Sequence, residues 1–348
     1  MSIALREQIR TREQYGLNSL INYIKEVSPS VLNQSINFAG HSGHNGNILF
    51  YQHFTYVSTI EYLISQGADV NFKNEDGKTP LFFHEDPDIV NLLISHGANV
   101  NEQDNRGNIP LFHVNNIEAA ELLLENGADI NHCNQFGENA TFYISDPFVM
   151  QYLIDQGLNI NQITKSRVNA FFKWNVEGNN NNLLLLLIRN GLEINMYNQN
   201  LSGDSLFSTQ ITRMSKTILK EMIKKNVDIY AENNECKTFL INLSPDSAEN
   251  FFYLLKEKKL DLTHKKSNGQ CVIEDISYFD LWENVITGKM LSNEQLLSSI
   301  GEKTLGEYIV EKMKNNEIKA EINSLIEKEK LNKIIDISPY KESILKRM

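Results

Sequence analysis

From Gly67 onward, polar stretches rich in Asn, Asp and Gly alternate with apolar bursts of helical spacing. In "DIVNLLIS", Ile89, Val90, Leu92, Leu93 and Ile94 fall on one face of a helix. Gly97 follows directly and predicts a helix end in the left-handed conformation that glycine adopts cheaply. The pattern then returns: "GADVNFKNEDGKTPLFF" (67–83), "GANVNEQDNRGNIPLFH" (97–113), "GADINHCNQFGENATFY" (127–143) and, fading, "GLNINQITKSRVNAFFK" (157–173). Gly67, Gly97, Gly127 and Gly157 are thirty residues apart, as are Gly77, Gly107 and Gly137. A fixed period of this size predicts one supersecondary unit stacked on copies of itself, because a single unit cannot bury its apolar face alone.

Two further signals place the helices. Pro80 and Pro110 open a first helix, where a missing N–H costs nothing. Asp86-Pro87 and Asp146-Pro147 open a second, with the aspartate as N-cap. The run G-A-D-V-N, then G-x-T-P-L, then "IVNLLISHGANVN" resembles the ankyrin repeat. That resemblance implies a β-hairpin followed by two antiparallel helices, stacked into an all-α solenoid that binds other proteins. There are two departures. The period is three residues short of the usual ~33, and Phe82, Phe112, Phe142 and Phe172 stand at the family's histidine. Three residues are almost one helical turn. The gap falls between "PLFFH" and "PDIV", so the first helix is expected to be shortened, with the phenylalanines forming a core ladder that refills its volume.

Along the chain, 3–14 and 17–26 read as helices of an N-terminal cap (1–45), broken at Ser28-Pro29. About eight ankyrin-like repeats then occupy 46–289, starting at Gly46, Gly77, Gly107, Gly137, Arg167, Gly203, Cys236 and Gly269. The first four are compact and the last four degenerate. "VEGNNNN" (176–182) reads as an exposed insertion between the two helices of the fifth repeat, and "LLLLLI" (183–188) restarts the second helix. Residues 290–348 read as charged amphipathic helices with N-cap candidates Ser292 and Thr304. They are expected to cap the array, with a separate partner-docking module as the alternative.

Charge changes this picture more than composition does. The net charge is −11. Residues 46–166 carry sixteen acidic and four basic side chains, whereas 167–289 carry fifteen of each and 290–348 ten of each. All the excess sits on the compact repeats, which argues against nucleic acid or an anionic membrane as the partner there. The aliphatic run at 183–188 is too short to span a membrane, and "MSIALREQIR" lacks the apolar core of a cleavable signal. The three cysteines, Cys133, Cys236 and Cys271, share no metal-ligand spacing and read as reduced thiols. A cytoplasmic monomer is expected, reaching a host cytosol only by a signal of a kind not visible here.

Candidate chemistry is sparse. No P-loop, G-x-G-x-x-G, H-E-x-x-H, C-x-x-C or nucleophile elbow occurs, so no enzyme, cofactor or metal is expected. His41 with His44, the series His53, His84 and His113, and the pair His132-Cys133 are weak candidates beside ordinary packing roles. Binding remains. The resemblance implies contact through hairpin tips and the concave face of the first helices, the tips carried onto this chain being Phe72 to Asp76, Glu102 to Arg106, His132 to Phe136 and Gln162 to Ser166. Within them Phe72, Lys73, Glu75, Asp76, Glu102, Gln103, Asn105, Arg106, His132, Gln135 and Phe136 are the expected contacts to a basic protein partner, with Phe72 and Phe136 as apolar anchors. The compact units also resemble the ankyrin arrays of bacterial effectors. An effector or adaptor is therefore the expected role. The alternatives are an immunity protein that occludes a toxin and an enzyme whose site lies in the degenerate half or C-terminal helices.

Overall fold

The computed structural model describes residues 57–176, 180–195, 203–211, 214–243, 248–257, 259–276 and much of 291–328, together with a short strand pair before them. That pair is antiparallel, β1 (Ile36–Asn37) with β2 (Asn45–Gly46). The expected helices at 3–14 and 17–26, His41, His44, His53 and residues 177–179 of the "VEGNNNN" insertion lie outside the described residues. Two compact modules are present, one of 1–174 with 182–192, the other of 175–181 with 193–348.

In the first module each repeat is a polar turn, a single 3-10 turn and a nine-residue helix. The nine-residue helices are α1 (Val57–Ser65), α2 (Pro87–Ser95), α3 (Ile117–Glu125), α4 (Pro147–Asp155) and, after an interruption by α5 (Ala170–Val176), α6 (Asn181–Arg189). The first helix of the repeat is indeed shortened, to the 3-10 turns Pro80–Phe82, Pro110–His113 and Ala140–Phe142. Proline supplies the first residue of the first two. In the third, where Ala140 replaces it, the Asn139 carboxamide accepts from the Thr141 N–H at 3.1 Å.

Helices α2, α3 and α4 each start at a side-chain cap. Asp86 accepts from the Asp88 N–H at 2.9 Å, Asn116 from Glu118 at 2.7 Å, and Asp146 from Phe148 and Val149 at 2.8 and 3.0 Å. Each buries a stripe at i, i+1 and i+4: Ile89, Val90 and Leu93, then Ala119, Ala120 and Leu123, then Val149, Met150 and Leu153. Each also ends the same way. At α3 the Gly127 N–H donates to Leu124 and the Ala128 N–H to Leu123, at 3.0 and 2.9 Å, with Gly127 at φ 86.

Two expectations change. The implied β-hairpins form no strands among the described tips, only an isolated bridge between Lys265 and Cys271, because each tip is a tight turn closed within five residues. The Asn74 N–H donates to the Lys78 carbonyl at 3.0 Å, and the Asn74 side chain accepts from Asp76 and Lys78 N–H groups at 3.1 and 2.8 Å, taking over what a strand partner does. The phenylalanine ladder holds at Phe82, Phe112 and Phe142, all buried, but not at Phe172, which is half-buried, whereas Phe171 is buried like Leu81, Leu111 and Thr141 of the same column. The fifth repeat has a full helix, α5, in place of the 3-10 turn.

The repeat register continues into the second module. Arg167, Gly203, Cys236 and Gly269 adopt φ of 58, 65, 56 and 80 at the positions of Gly77, Gly107 and Gly137. Holding arginine and cysteine there costs about 1–2 kcal/mol each, so the frame dictates the conformation even where its glycine is lost. Helices α7 (Leu206–Gln210), α8 (Lys216–Lys224) and α9 (Glu249–Lys256) alternate with the 3-10 turns Phe239–Asn242 and Val272–Asp275. Asp275 is fully buried and bonds Lys266 Nζ at 2.6 Å and the Thr238 N–H and hydroxyl at 2.8 and 2.9 Å, tying one repeat to the next. Beyond it come α10 (Asn293–Leu296), the hairpin β3 (Ser299–Ile300) with β4 (Lys303–Thr304), α11 (Leu305–Lys312) and a helix at 322–328. Thr304 caps α11 as expected, exchanging bonds with Glu307 at 2.7 and 3.2 Å. Burial first, and then Glu274 and Cys271, raise the pKa of the Tyr308 hydroxyl on α11.

A β-carbon on Gly127 meets nothing within 4 Å, so a substitution there tests the backbone alone. Gly127→Val is expected to lower stability by at least about 1 kcal/mol in a urea titration. An unchanged midpoint would show that the helix does not end at this glycine.

Candidate functional site

A line of asparagines sets the position of the tips. Asn71, Asn101 and Asn131 each donate Nδ2 to the carbonyl of the next helix-ending glycine, Gly97, Gly127 and Gly157, at 2.8, 2.7 and 3.2 Å. Their Oδ1 atoms accept from the N–H groups of Asn99, Asp129 and Asn159 at 2.9, 2.9 and 2.8 Å. Asn161 reaches the Gly191 carbonyl at 3.0 Å. In the second module Asn195 accepts from Asp228 N–H at 2.8 Å, and the Tyr230 hydroxyl then replaces the amide, accepting from Asp261 at 2.7 Å.

Tip backbones are linked as well. The N–H groups of Asn105, Gln135 and Lys165 donate to the carbonyls of Asp76, Arg106 and Phe136 at 2.8, 3.0 and 2.8 Å. Several expected contact residues are spent on this stitching. Asn105 donates to the Glu75 carbonyl at 2.8 Å, Gln135 to the Asn105 carbonyl at 3.2 Å, and His132 Nε2 lies 2.7 Å from the Gly107 carbonyl. Lys73 pairs with Glu102 at 2.6 Å, and that bond, opposed by burial and helped by Asn99, holds the Glu102 carboxyl below its usual range. Glu75, Asp76, Gln103, Arg106 and Phe136 remain exposed at the tips.

The two expected anchors separate. Phe136 is 51% exposed, with Ile163 on the next tip at 48%. Phe72 is half-buried and packs against Phe82 and Phe83, so it belongs to the core edge and is no exposed anchor. The other anchor-like side chain the sequence reading missed is Phe148 on α4, 76% exposed.

Behind the tips lies a polar column that sequence reading also missed. Asn74, Asp104, Asn134 and Thr164 are buried at equivalent positions. Asn134 Nδ2 contacts Asn108 Oδ1, Glu138 Oε2 and Tyr143 Oη at 2.8, 2.9 and 2.7 Å, and the Tyr143 hydroxyl donates to Glu138 at 2.6 Å. Burial and Glu138 hold that hydroxyl protonated far above its ordinary range. One signal was available, a polar residue recurring every thirty positions inside an otherwise varied loop.

The histidine series does not form a ladder. His84 is buried in the column of Val114, Ile144 and Trp174, whereas His113 sits one position earlier, with Phe83, Tyr143 and Lys173. His113 lies 5.5 Å from the Phe82 ring, and burial first, then Lys78, push its imidazole down to about 4. Among the described residues no three His, Cys, Asp or Glu side chains come together as a metal site. At His132-Cys133, burial and Asp129 raise the thiol pKa, the wrong direction for a nucleophile.

Comparison with protein-family models matches residues 51–134 to ankyrin repeats, in three copies. No curated protein matches the chain. No described helix is long and apolar enough to cross a membrane.

A neutral, buried His113 must be linked to folding. Its unfolded value is near 6.5 and its folded value about 4, so its stabilising contribution is complete above about pH 6.5 and is lost as pH falls toward 4. Replacing it by the residue of the same column, His113→Phe, is expected to remove up to roughly 3 kcal/mol of that acid loss, read as the change in melting temperature between neutral and mildly acid buffer. Identical acid slopes for the two proteins would contradict it.

Proposed function

We propose that this ankyrin-repeat chain, a scaffold for protein–protein interaction, binds a basic protein partner through the first module and performs no chemistry on it. The observation that carries the reading is the charge: sixteen acidic against four basic side chains in 46–166, on the same frame that is neutral further along. N-capping accounts for Asp86 and Asp146. It does not account for Glu75 and Asp76 at a tip, or for Glu118, Glu121 and Glu125 on α3, all exposed. Across the tips the exposed Lys73, Arg106 and Lys165 offset Glu75, Asp76 and the half-buried Glu102, so the surplus of carboxylates lies on the second helices and at their starts, with Glu75 and Asp76 a local negative pair at one tip.

The titratable groups of the second module support binding over catalysis. Its closest-knit group, Lys266, Asp275, Lys237 and Thr238, joins two repeats, with the Lys266–Asp275 pair fully enclosed. Substrate has no access to a pair so placed. The effector and adaptor reading rests on the resemblance of the compact repeats to effector arrays. In the same reading the helices after 290 close the array, since a solenoid needs its last repeat shielded and the Tyr308 hydroxyl on α11 feels the charges of Glu274 and Cys271.

Complementary fields act chiefly on the association rate and are screened over about 10 Å at 0.1 M salt. Once a partner is captured on the purified protein, stopped-flow association is expected to slow several-fold between low and moderate salt. Glu75→Lys with Asp76→Lys should slow it further. Glu102 is a poorer choice, because its charge is already met by Lys73. A rate indifferent to salt and to both reversals would contradict a basic partner at the tips.

A further inference from the structure

Helix α6 carries more hydrophobic surface than its own repeat uses. Leu183, Leu184, Leu187 and Ile188 are buried, completing the stripe that α2, α3 and α4 show. Leu186 takes the half-exposed position that Leu92, Leu122 and Tyr152 hold in the other second helices, but Leu185 stands where those helices carry Asn91, Glu121 and Gln151, so α6 adds an apolar side chain to a face that is polar elsewhere in the array. It also packs on α4 less closely than α2 packs on α3. The repeat between them is the one with the full helix α5. A groove of about 460 Å³ lies between α4 and α6, lined by Gln151, Asn182, Leu185, Leu186, Arg189 and Asn190. One end is fixed by the Asn190–Gln151 bond at 3.0 Å, with Gln151 also held to Asp155 at 2.8 Å.

The walls of this face add an anchor and a charge. On α4, Phe148 shares the face of Gln151, Tyr152 and Asp155 by helical spacing, and at 76% it is the most exposed large apolar side chain described. On the far side of α4, α3 presents Glu118, Glu121 and Glu125 to solvent, the latter two near enough to act on the Tyr152 hydroxyl. Asp155 adds a fourth carboxylate, against Arg189 alone as a cation on this face.

We propose that the groove between α4 and α6 is a docking site for a basic amphipathic helix of a protein partner, whose apolar face covers Leu185, Leu186 and Phe148 while its cations meet Glu121, Glu125 and Asp155. A helix fits because groove binding of this kind uses anchors at i, i+3, i+4 and i+7. A second copy of this chain is disfavoured, since a two-fold contact would bring the same carboxylates face to face. The proposal places contact on the outer helical face, away from the tips, and rests on the reading of a basic partner only for the sign of the charge.

The test uses the full chain and two fluorescein-labelled helical peptides of about 14 residues, roughly four turns, one built of Leu and Lys and the other of Leu and Glu. Fluorescence anisotropy should show the Leu/Lys peptide binding and the Leu/Glu peptide not. Leu185→Ser with Leu186→Ser should weaken it at least about tenfold, and Phe148→Ser on its own by a similar factor. Phe136→Ser at a tip should leave it unchanged, and circular dichroism would show whether the groove variants stay folded. No binding, or binding insensitive to both groove variants, overturns the proposal. Loss on Phe136→Ser instead moves the basic partner to the tips and leaves that broader reading standing, whereas preference for the Leu/Glu peptide defeats both. A dimer in sedimentation that Leu185→Ser dissociates would make a second copy the occupant and overturn the partner named here.

Discussion

The asparagine bridge between neighbouring repeats is the interaction on which the rest depends. A helix ends with carbonyls that have no partner of their own. Here the carbonyl of each terminating glycine is turned outward by its positive φ, and the asparagine of the preceding repeat reaches it. The same carboxamide takes the N–H two residues further on, so one side chain fixes both the distance and the register of two repeats. Each bond contributes only about 1 kcal/mol. Their repetition at every junction makes the tips, the 3-10 turns and the second helices of the first module move as one surface.

Shortening the first helix removes a turn of backbone, and buried phenylalanines at 82, 112 and 142 take the space. In the column of Phe83, His113, Tyr143 and Lys173, the Tyr143 hydroxyl meets Asn134 and Glu138 behind the tips, and burial with Glu138 keeps it protonated. Burial with Lys78 keeps His113 neutral against the pull of Asp104, and the Lys173 ammonium lies 4.8 Å over the Tyr143 ring. The fifth repeat, where the first helix regains its length at α5, is also the one whose second helix, α6, borders the groove with α4.

Much of this was legible in residue order, because the determinants are local. The caps at Asp86 and Asp146 and the terminators at Gly97 and Gly127 need only neighbours a few positions away. The register at Arg167 and Cys236 followed from counting, and both positions have positive φ. Phe72 and Phe136 were not separable, since both sit in tips of the same composition. Their difference arises from Phe82 and Phe83 lying beside one and not the other. The error in the histidine series was of another kind: His84 and His113 are twenty-nine residues apart, not thirty, so the period itself placed them in different columns. The groove depends on how α6 sits against α4, a packing consequence that no local pattern encodes. Its trace in the sequence was the leucine at 185.

If the bridges unite the repeats, removing one must be felt beyond its own two hydrogen bonds. Native-state hydrogen exchange on Asn101→Ala is the direct measurement, followed by mass spectrometry of peptides covering the 97–107 and 127–137 tips. Joint loss of protection at both tips, including the Gln135 N–H that donates to Arg106 at 3.0 Å, is the result expected of repeats locked in register by these side chains. Faster exchange confined to the Asp129 N–H, with the rest of both tips as protected as before, would show that packing alone holds the repeats together.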